Sequence, residues 1–514
     1  MSYPRILIAA PVRQHPAILK EFLDSIRRLD INGLQISCAF IDDNDNADSS
    51  RMLQSFAFGE ESVVTPAPQR PTVAYIRNDI THHWREDLIW RVAAFKDFLI
   101  ECALESGFDY LFLVDSDLVL NPFTLQHLVA CDKEIISEVF WTSWQPGQIL
   151  MPQVWTQGQY ELAWRRRDEK ISPDESDRRI LAFIRGLHQP SLTRVGGLGA
   201  CTLIKRTALE KGVRFAEIDN LTYWGEDRHF CVRARALGVE LWADSTYAPL
   251  HLYRQSLLDR VPRYVNWSSV DHWRHPSITL SMVVRNESGR YLEKALMRHR
   301  EFIDRAVIID DASEDDTVDI VTRCLHGIQT KIVRLPNSHF HNEVALRKIQ
   351  WKETVETCPD WILNLDADEI LEDGCGAAIR DWAHQTQYRY IGFSLFDMWD
   401  DYHYRDDALW NAHRRLWGFM FRYSPLLNYE WKESAQHCGR FPRSVEFFEM
   451  GCSNIRIQHM GWARRADRER KYRRYLELDP QGRHGSMAQY ASILDESPHL
   501  VRWTESRLAA QEVL

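Results

Sequence analysis

The chain has 514 residues, too many for a single hydrophobic core, and its length predicts two or three domains. A 45% hydrophobic and 26% charged composition is that of a globular protein, and the formal net charge of -10 excludes a nucleic-acid binder acting through bulk charge. No apolar run reaches the roughly 20 residues that span a bilayer. Met1–Arg5 leads directly into a strand without a signal peptide, and ten cysteines without CxxC spacing read as reduced thiols, so the expected location is cytoplasmic.

In chain order, Arg5–Ala10 reads as a buried strand, followed by the turn Pro11-Val12-Arg13. An amphipathic helix comes next, with Ile18, Leu19, Phe22, Ile26 and Leu29 on one stripe. A second strand, Ile36–Ile41, ends at Asp42-Asp43, and residues 44–71 read as loop and short helix. A helix over Leu88–Leu104 carries Arg91 and Lys96 into the strand Tyr110–Val114, which ends in Asp115-Ser116-Asp117. This alternation predicts an α/β domain with a parallel sheet. The pattern restarts near residues 265–277 with the strand Ile278–Val284. Ala306–Ile309 then ends in Asp310-Asp311, and Trp361–Leu365 in Asp366-Ala367-Asp368. The internal repeat divides the chain into residues 1–270, 276–462 and an extension, 463–514, with seven Lys/Arg between Ala463 and Arg474. The extension reads as a solvated basic helix on the second domain, in preference to a peripheral membrane contact.

Each copy ends an apolar strand abruptly in carboxylates, as a buried parallel strand does where it opens into a site. In extended backbone, residues i and i+2 share a side, so Asp115 and Asp117 can serve one ligand, as can Asp366 and Asp368. Paired carboxylates repel unless a cation intervenes, and Mn²⁺ or Mg²⁺ bridging to phosphate oxygens meets that need. An isolated Asp-x-Asp is more often a cap, but here the strand before it and the partner motifs favour a metal site. Gly196-Gly197 reads equally as a tight turn, Glu226-Asp227 as a helix start, and His251 as a packed core histidine. Most of the 19 tryptophans read as core with half-exposed rims, although such rings also stack on sugars.

These motifs resemble glycosyltransferases of the GT-A fold, in particular the large family 2. In the second half the resemblance lies in Ser281–Glu287, Ile309–Thr317 and Leu365–Glu369; in the first, in Ala10–Arg13, Val114–Asp117, Gly196–Ile204, Trp224–Asp227 and Leu250–Tyr253. It implies two tandem α/β GT-A domains (Rossmann-like, mostly parallel sheets) with a helical C-terminal extension. The implied reaction is metal-dependent, inverting transfer of a sugar from a nucleoside-diphosphate donor, a UDP-sugar first, to a glycan or glycosylated carrier, with one Mn²⁺ or Mg²⁺ per domain. By resemblance, Pro11, Arg13, Asp43 and Asp115, with Asn286, Asp311 and Asp366, bind the nucleotide sugar. Arg91 and Arg347 face its diphosphate, with Lys96 and Lys348 as further cations. Asp117 with His251, and Asp368 with His459, hold the metals, and Gly196 and Gly197 lie on the acceptor side. Asp227 is the expected base, with Glu226 as its neighbour. In the second domain Glu433 takes that role, with Glu430 and His437 as alternatives. One active domain beside a non-catalytic donor-binding copy is the nearest rival. A sugar-nucleotide nucleotidyltransferase is set aside, because neither Ala10–Arg13 nor Val284–Glu287 supplies a glycine-rich phosphate loop.

Overall fold

The computed structural model describes residues 3–68, 78, 80, 82–340, 342–434, 438–481 and 486–505. The chain divides into two compact units, Met1–Ser269 and Val270–Leu514.

The first unit opens with β1 (Arg5–Val12), α1 (Pro16–Arg27), β2 (Gln35–Asp42) and β3 (Glu61–Pro66). After α2 (Glu86–Glu105) come β4 (Tyr110–Val114), β5 (Leu118–Val119), β6 (Ile135–Glu138), β7 (Val154–Trp155), β8 (Leu192–Val195), β9 (Gly197–Leu198) and β10 (Cys201–Lys205). α3 (Glu226–Ala236), β11 (Leu241–Asp244) and β12 (Leu250–His251) follow. Among the described residues the main sheet has the order β8-β11-β6-β10-β4-β1-β2-β3. Its β4-β1-β2-β3 half is parallel, and β10 runs antiparallel to both β4 and β6.

Helix α1 forms where expected. Pro16 begins it, the His15 side chain caps Ala17 N, and Ile18, Leu19, Phe22 and Ile26 are buried. Leu19, Phe22 and Ile26 pack on Ile6, Ile8, Cys38 and Phe40 of the sheet. The segment that reads as loop and short helix does hold a helix, Ala47–Gln54, but it also holds an unexpected strand, β3. It is an edge strand tied to β2 by backbone bonds, with its side chains largely out of the core. The carboxylates also differ from expectation: β4 stops at Val114, and Asp115-Ser116-Asp117 forms a turn rather than extended strand.

The second unit contains β13 (Ile278–Val284), α4 (Leu292–His299), β14 (Arg305–Asp310), α5 (Thr317–Cys324), β15 (Gln329–Arg334), α6 (Glu343–Val355), β16 (Trp361–Asn364) and β17 (Glu369–Leu371). It continues with β18 (Tyr390–Asp397), β19 (His403–Arg405), β20 (Leu416–Arg422) and β21 (Met450–His459). Its main sheet runs β15-β14-β13-β16-β20-β18-β21-β17, with the first four strands parallel and β20 antiparallel to its neighbours. The extension forms α7 (Arg465–Leu478) and α8 (Met487–Ser492), and adds the strand β22 (Leu500–Arg502), which pairs with β19. The basic run is more than a solvated helix, because Tyr472 and Tyr475 of α7 pack on a cluster of Trp399, Trp410 and Trp462. All ten cysteines are free thiols. Among the described residues no helix is long and apolar enough to cross a membrane.

A polar network lies at the carboxyl end of β11. His127 Nε2 lies 3.1 Å from Asp244 Oδ2 and 3.7 Å from Cys131 Sγ. These three side chains are close enough together to share an ion, but the ion pair alone accounts for their spacing. Burial works to lower the imidazolium pKa, yet the hydrogen bond and charge of Asp244 outweigh it and raise the pKa to about 10. A folded pKa above the ordinary value means stability present below about pH 6.5 and lost as pH rises through about 10. His127→Gln should therefore lower the first unit's Tm by about 3–6 °C at pH 6, and the deficit should close near pH 10.5. Calorimetric melts at both pH values check this, and an equal deficit at both removes the ion pair as its cause.

Candidate functional site

At the carboxyl ends of β1, β2 and β4, the first unit encloses a cavity of about 370 Å³. Pro11, Arg13, Asp43, Arg91, Asp115, Asp117, Glu226, Asp227 and His251 all line it. β5 pairs antiparallel with β12, placing Leu118 opposite His251, and Leu252 N donates to Asp117 O at 2.8 Å. The pairing sets His251 Nε2 3.3 Å from Asp117 Oδ2, while Thr142 Oγ1 lies 2.8 Å from Nδ1. Burial raises the Asp117 pKa, but the neighbouring His251 outweighs it and holds the carboxyl below its ordinary value. Asp117 Oδ1 is buried with no hydrogen-bond partner among the described residues. A histidine nitrogen and a carboxylate with one buried, unengaged oxygen form a donor set that suits Mn²⁺ or Mg²⁺.

Behind this pair sits Lys96, which is buried on α2. Its Nζ donates to Glu226 Oε1 at 2.8 Å and Asp227 Oδ1 at 2.9 Å. Burial works to lower the Lys96 pKa, and Asp227, Glu226 and Asp115 together lift it well above the ordinary lysine value. Asp115 moves upward too, through burial and the repulsion of Asp117, Asp227 and Glu226, against the opposing pull of Lys96. The lysine expected to meet a diphosphate is thus the internal counterion of the carboxylate cluster. Glu226 and Asp227 occupy the first turn of α3, entered through Gly225 at φ +106°, a backbone conformation that favours glycine. The positive end of the helix faces the same two carboxylates.

Arg91 Nη2 donates to Asp43 Oδ1 at 2.9 Å and Pro68 O at 2.8 Å, and Arg13 Nε donates to Asp45 at 2.8 Å. Gly196 and Gly197 do not line the cavity. Gly197 pairs with Trp155 across β9 and β7, and a Cβ there would lie 2.0 Å from the Trp155 ring; one on Gly196 would lie 2.2 Å from Thr156 O. The glycines seat Trp155, and the Trp155 side of the cavity then continues through Gly199 and Ala200. The exposed Trp84, Trp144 and Trp224 stand at the rim. Composition hinted at such rings, but only their convergence from three separate segments sets them apart from core tryptophans.

In the second unit, Asp311 is fully buried and accepts from Ser338 Oγ at 2.6 Å and His339 N at 2.7 Å. Asn286 accepts from Glu314 N at 2.8 Å, and both Asn286 and Ala312 have positive φ, at 50° and 58°. Arg347 Nη2 donates to Asp366 Oδ1 at 3.0 Å, and Arg440 lies 3.4 Å from Asp366 Oδ2 and 2.9 Å from Glu369 Oε2. Burial raises the Asp366 pKa, but Arg440 and Arg347 outweigh it and hold the carboxyl far below its ordinary value. β17 pairs with β21 so that Glu369 faces His459, and Met460 N donates to Asp368 O at 2.8 Å. His459 Nε2 then lies 3.8 Å from Asp368 Oδ2, with Nδ1 2.8 Å from Asp397 Oδ1. Burial pushes Glu287, which faces Asp368, up to about 7. Glu433 is exposed and paired with Lys348 at 2.6 Å. Glu430 is also exposed, and His437 lies outside the described residues. Arg440 and Lys471, both part of the cluster, carry no motif that marks them in the sequence.

No family model matches the chain. Over 214 residues it is 27% identical to an uncharacterized protein of Mycobacterium tuberculosis, covering 40% of this chain and 51% of that one, and it matches a Mycobacterium bovis protein equally. Over 119 residues it is 28% identical to an uncharacterized glycosyltransferase of Rickettsia bellii, covering 23% of this chain and 37% of that one. The chain spans about half the length or less of these curated relatives. Among solved structures it is similar to S. aureus TarS in complex with UDP-GlcNAc, at 13% identity over 42% of this chain and 70% of that one, TM-score 0.27. It is also similar to the Pyrobaculum calidifontis mannosyltransferase PcManGT in complex with GDP-Man and Mn²⁺, at 11% identity over 53% and 63%, TM-score 0.28. Each is a partial likeness at low identity.

If Lys96 is the counterion of the first cluster, Lys96→Met should destabilise the first unit by about 3–5 kcal/mol, the cost of leaving buried charge unpaired. Denaturant unfolding measures it. A loss below about 1 kcal/mol would show that the cluster does not depend on this ammonium.

Proposed function

We propose that the first unit transfers a sugar from a nucleoside-diphosphate donor to a hydroxyl of a glycan or glycosylated carrier, with inversion at the anomeric carbon. The observation that carries this reading is the strand-end cavity in which Asp43, Asp115, Asp117, Asp227 and His251 converge under a rim of exposed tryptophans. Asp117 and His251 would hold a divalent cation, which supplies positive charge to the departing diphosphate. Asp43 and Arg91 lie where the nucleotide enters, and Trp84, Trp144 and Trp224 offer flat apolar faces to sugar rings. The acceptor oxygen attacks the anomeric carbon from the side opposite the diphosphate. The carbon–oxygen bond to the diphosphate breaks, its electron pair leaves with the diphosphate, and the acceptor proton passes to Asp227. Lys96 fixes Asp227 and Glu226 in position for that transfer. Asp227 is the better placed of the two, because its side chain is 28% exposed against 13% for Glu226.

One observation favours a single catalytic unit over two. Glu433, the expected base of the second unit, is an exposed partner of Lys348 rather than a half-buried carboxylate like Asp227's neighbour Glu226. The second unit is accordingly proposed as a nucleotide-sugar-binding domain.

Asp117→Ala should abolish Mn²⁺-dependent transfer while leaving thermal unfolding within about 2 °C of wild type, since no core volume is lost. Retained transfer at saturating Mn²⁺ would remove Asp117 from the metal site. Asp227→Asn should keep donor affinity and lower kcat by roughly two to four orders of magnitude. Donor calorimetry beside single-turnover transfer separates the outcomes. Near-normal turnover would move the base to Glu226, and lost donor binding would place Asp227 on the nucleotide or the metal.

A further inference from the structure

The two carboxylate clusters differ in how their charge is met. In the first unit, Glu226, Asp227 and Asp115 share one fixed cation, Lys96, while Asp117 meets His251 and keeps Oδ1 unengaged among the described residues. In the second, the three carboxylates that follow its metal-motif strand each lie near a cation. Asp366 and Glu369 have Arg347 and Arg440. Behind them Glu287 and Asp467 have Arg290 and Arg470. Asp368, the residue expected to ligate a metal, has Lys471 Nζ 3.8 Å from its Oδ2, the same distance as His459 Nε2.

Glycine makes this convergence possible. A Cβ on Gly461 would lie 2.2 Å from Lys471 Nζ, 2.4 Å from Asp368 Oδ2 and 2.8 Å from His459 Nε2. The three polar ends therefore gather over the bare Cα of Gly461, and the requirement is steric, since its φ is not left-handed. Lys471 comes from α7, in the extension, and its ammonium lies 4.3 Å from the centre of the Trp462 ring, which helps to fix its approach. A divalent ion placed here would meet an ammonium at the oxygen it needs, beside the guanidinium groups of Arg347 and Arg440. The residues of the second unit do not fit a divalent cation.

We propose that the second unit binds the diphosphate of a nucleotide sugar without a metal, and that the Lys471 ammonium, delivered by the C-terminal extension, takes the cation's place. This rests on reading the second unit as a nucleotide-sugar-binding domain. A lysine suits the role, since it is a compact point charge with three donors on a flexible stem and can turn from Asp368 to a phosphate oxygen. It also gives the basic extension a function: one of its cations completes the site, while its tyrosines anchor it to the domain.

The test uses the full-length chain carrying Asp117→Ala, so that the first unit's cation site is disabled, with UDP, GDP, CDP and dTDP as calorimetric probes. In EDTA, at least one diphosphate should bind at one site per chain, and adding Mn²⁺ should change its Kd by less than about threefold. Adding Lys471→Met should weaken binding about 10-fold or more, the usual worth of one charge-assisted hydrogen bond to phosphate. Lys471→Arg, which keeps the charge, should stay within about fivefold of the parent. Gly461→Ala, which crowds the meeting point of the three side chains, should also weaken binding while the protein melts normally. Binding that appears only with Mn²⁺, or that survives Lys471→Met, overturns the proposal. No binding of any diphosphate with or without Mn²⁺ overturns the nucleotide reading beneath it, and the proposal falls with it.

Discussion

Carboxylates crowded at the buried ends of parallel strands need cations, and much of this protein's architecture follows from supplying them. An unpaired buried charge is costly, so each strand-end aspartate must meet a cation or a hydrogen-bond donor, or be neutralised. In both units the helix preceding the Asp-x-Asp strand provides the first cation: Lys96 from α2 and Arg347 from α6. Beyond that first cation the units diverge. The first leaves Oδ1 of its second aspartate unengaged among the described residues, whereas the second sets Arg440 beside Asp366 and Lys471 3.8 Å from Asp368.

A shared backbone device places the histidines. In each unit the residue just after the second aspartate begins a short strand that pairs with the histidine: Leu118 with His251, and Glu369 with His459. The residue after the histidine then donates its N–H to that aspartate's carbonyl, as Leu252 does to Asp117 and Met460 to Asp368. Two backbone contacts thus set an imidazole beside a carboxylate, and a side-chain partner on Nδ1, Thr142 or Asp397, orients each ring. Glycines sit where side chains must pass close to backbone: Gly197 under Trp155, and Gly461 under Lys471, Asp368 and His459.

Much of this was legible in the sequence. Runs such as Tyr110–Val114 and Trp361–Leu365 announce buried strands because both faces are apolar, and the carboxylates mark where burial ends. The α1 stripe was legible because one face of a helix repeats every three or four residues. Strand β3 was not, since an edge strand is held by backbone bonds that leave little trace in side-chain pattern. The partners of the aspartates were harder still. Lys96 reaches Glu226 across 130 residues, and Lys471 looks like any other cation in a basic run until α7 turns it toward Asp368. Gly196-Gly197 was visible as a motif, but its task of seating Trp155 depends on a strand pairing between β7 and β9 that has no sequence signature.

On the proposed reading, the cations already beside each Asp-x-Asp turn, more than the turn itself, decide where a divalent cation binds in this chain. Counting Mn²⁺ by electron paramagnetic resonance on the intact protein tests it directly. The account predicts one tightly held Mn²⁺ per chain, lost in Asp117→Ala and kept in Asp368→Ala. Two ions per chain, or a single ion lost in Asp368→Ala and kept in Asp117→Ala, would contradict it.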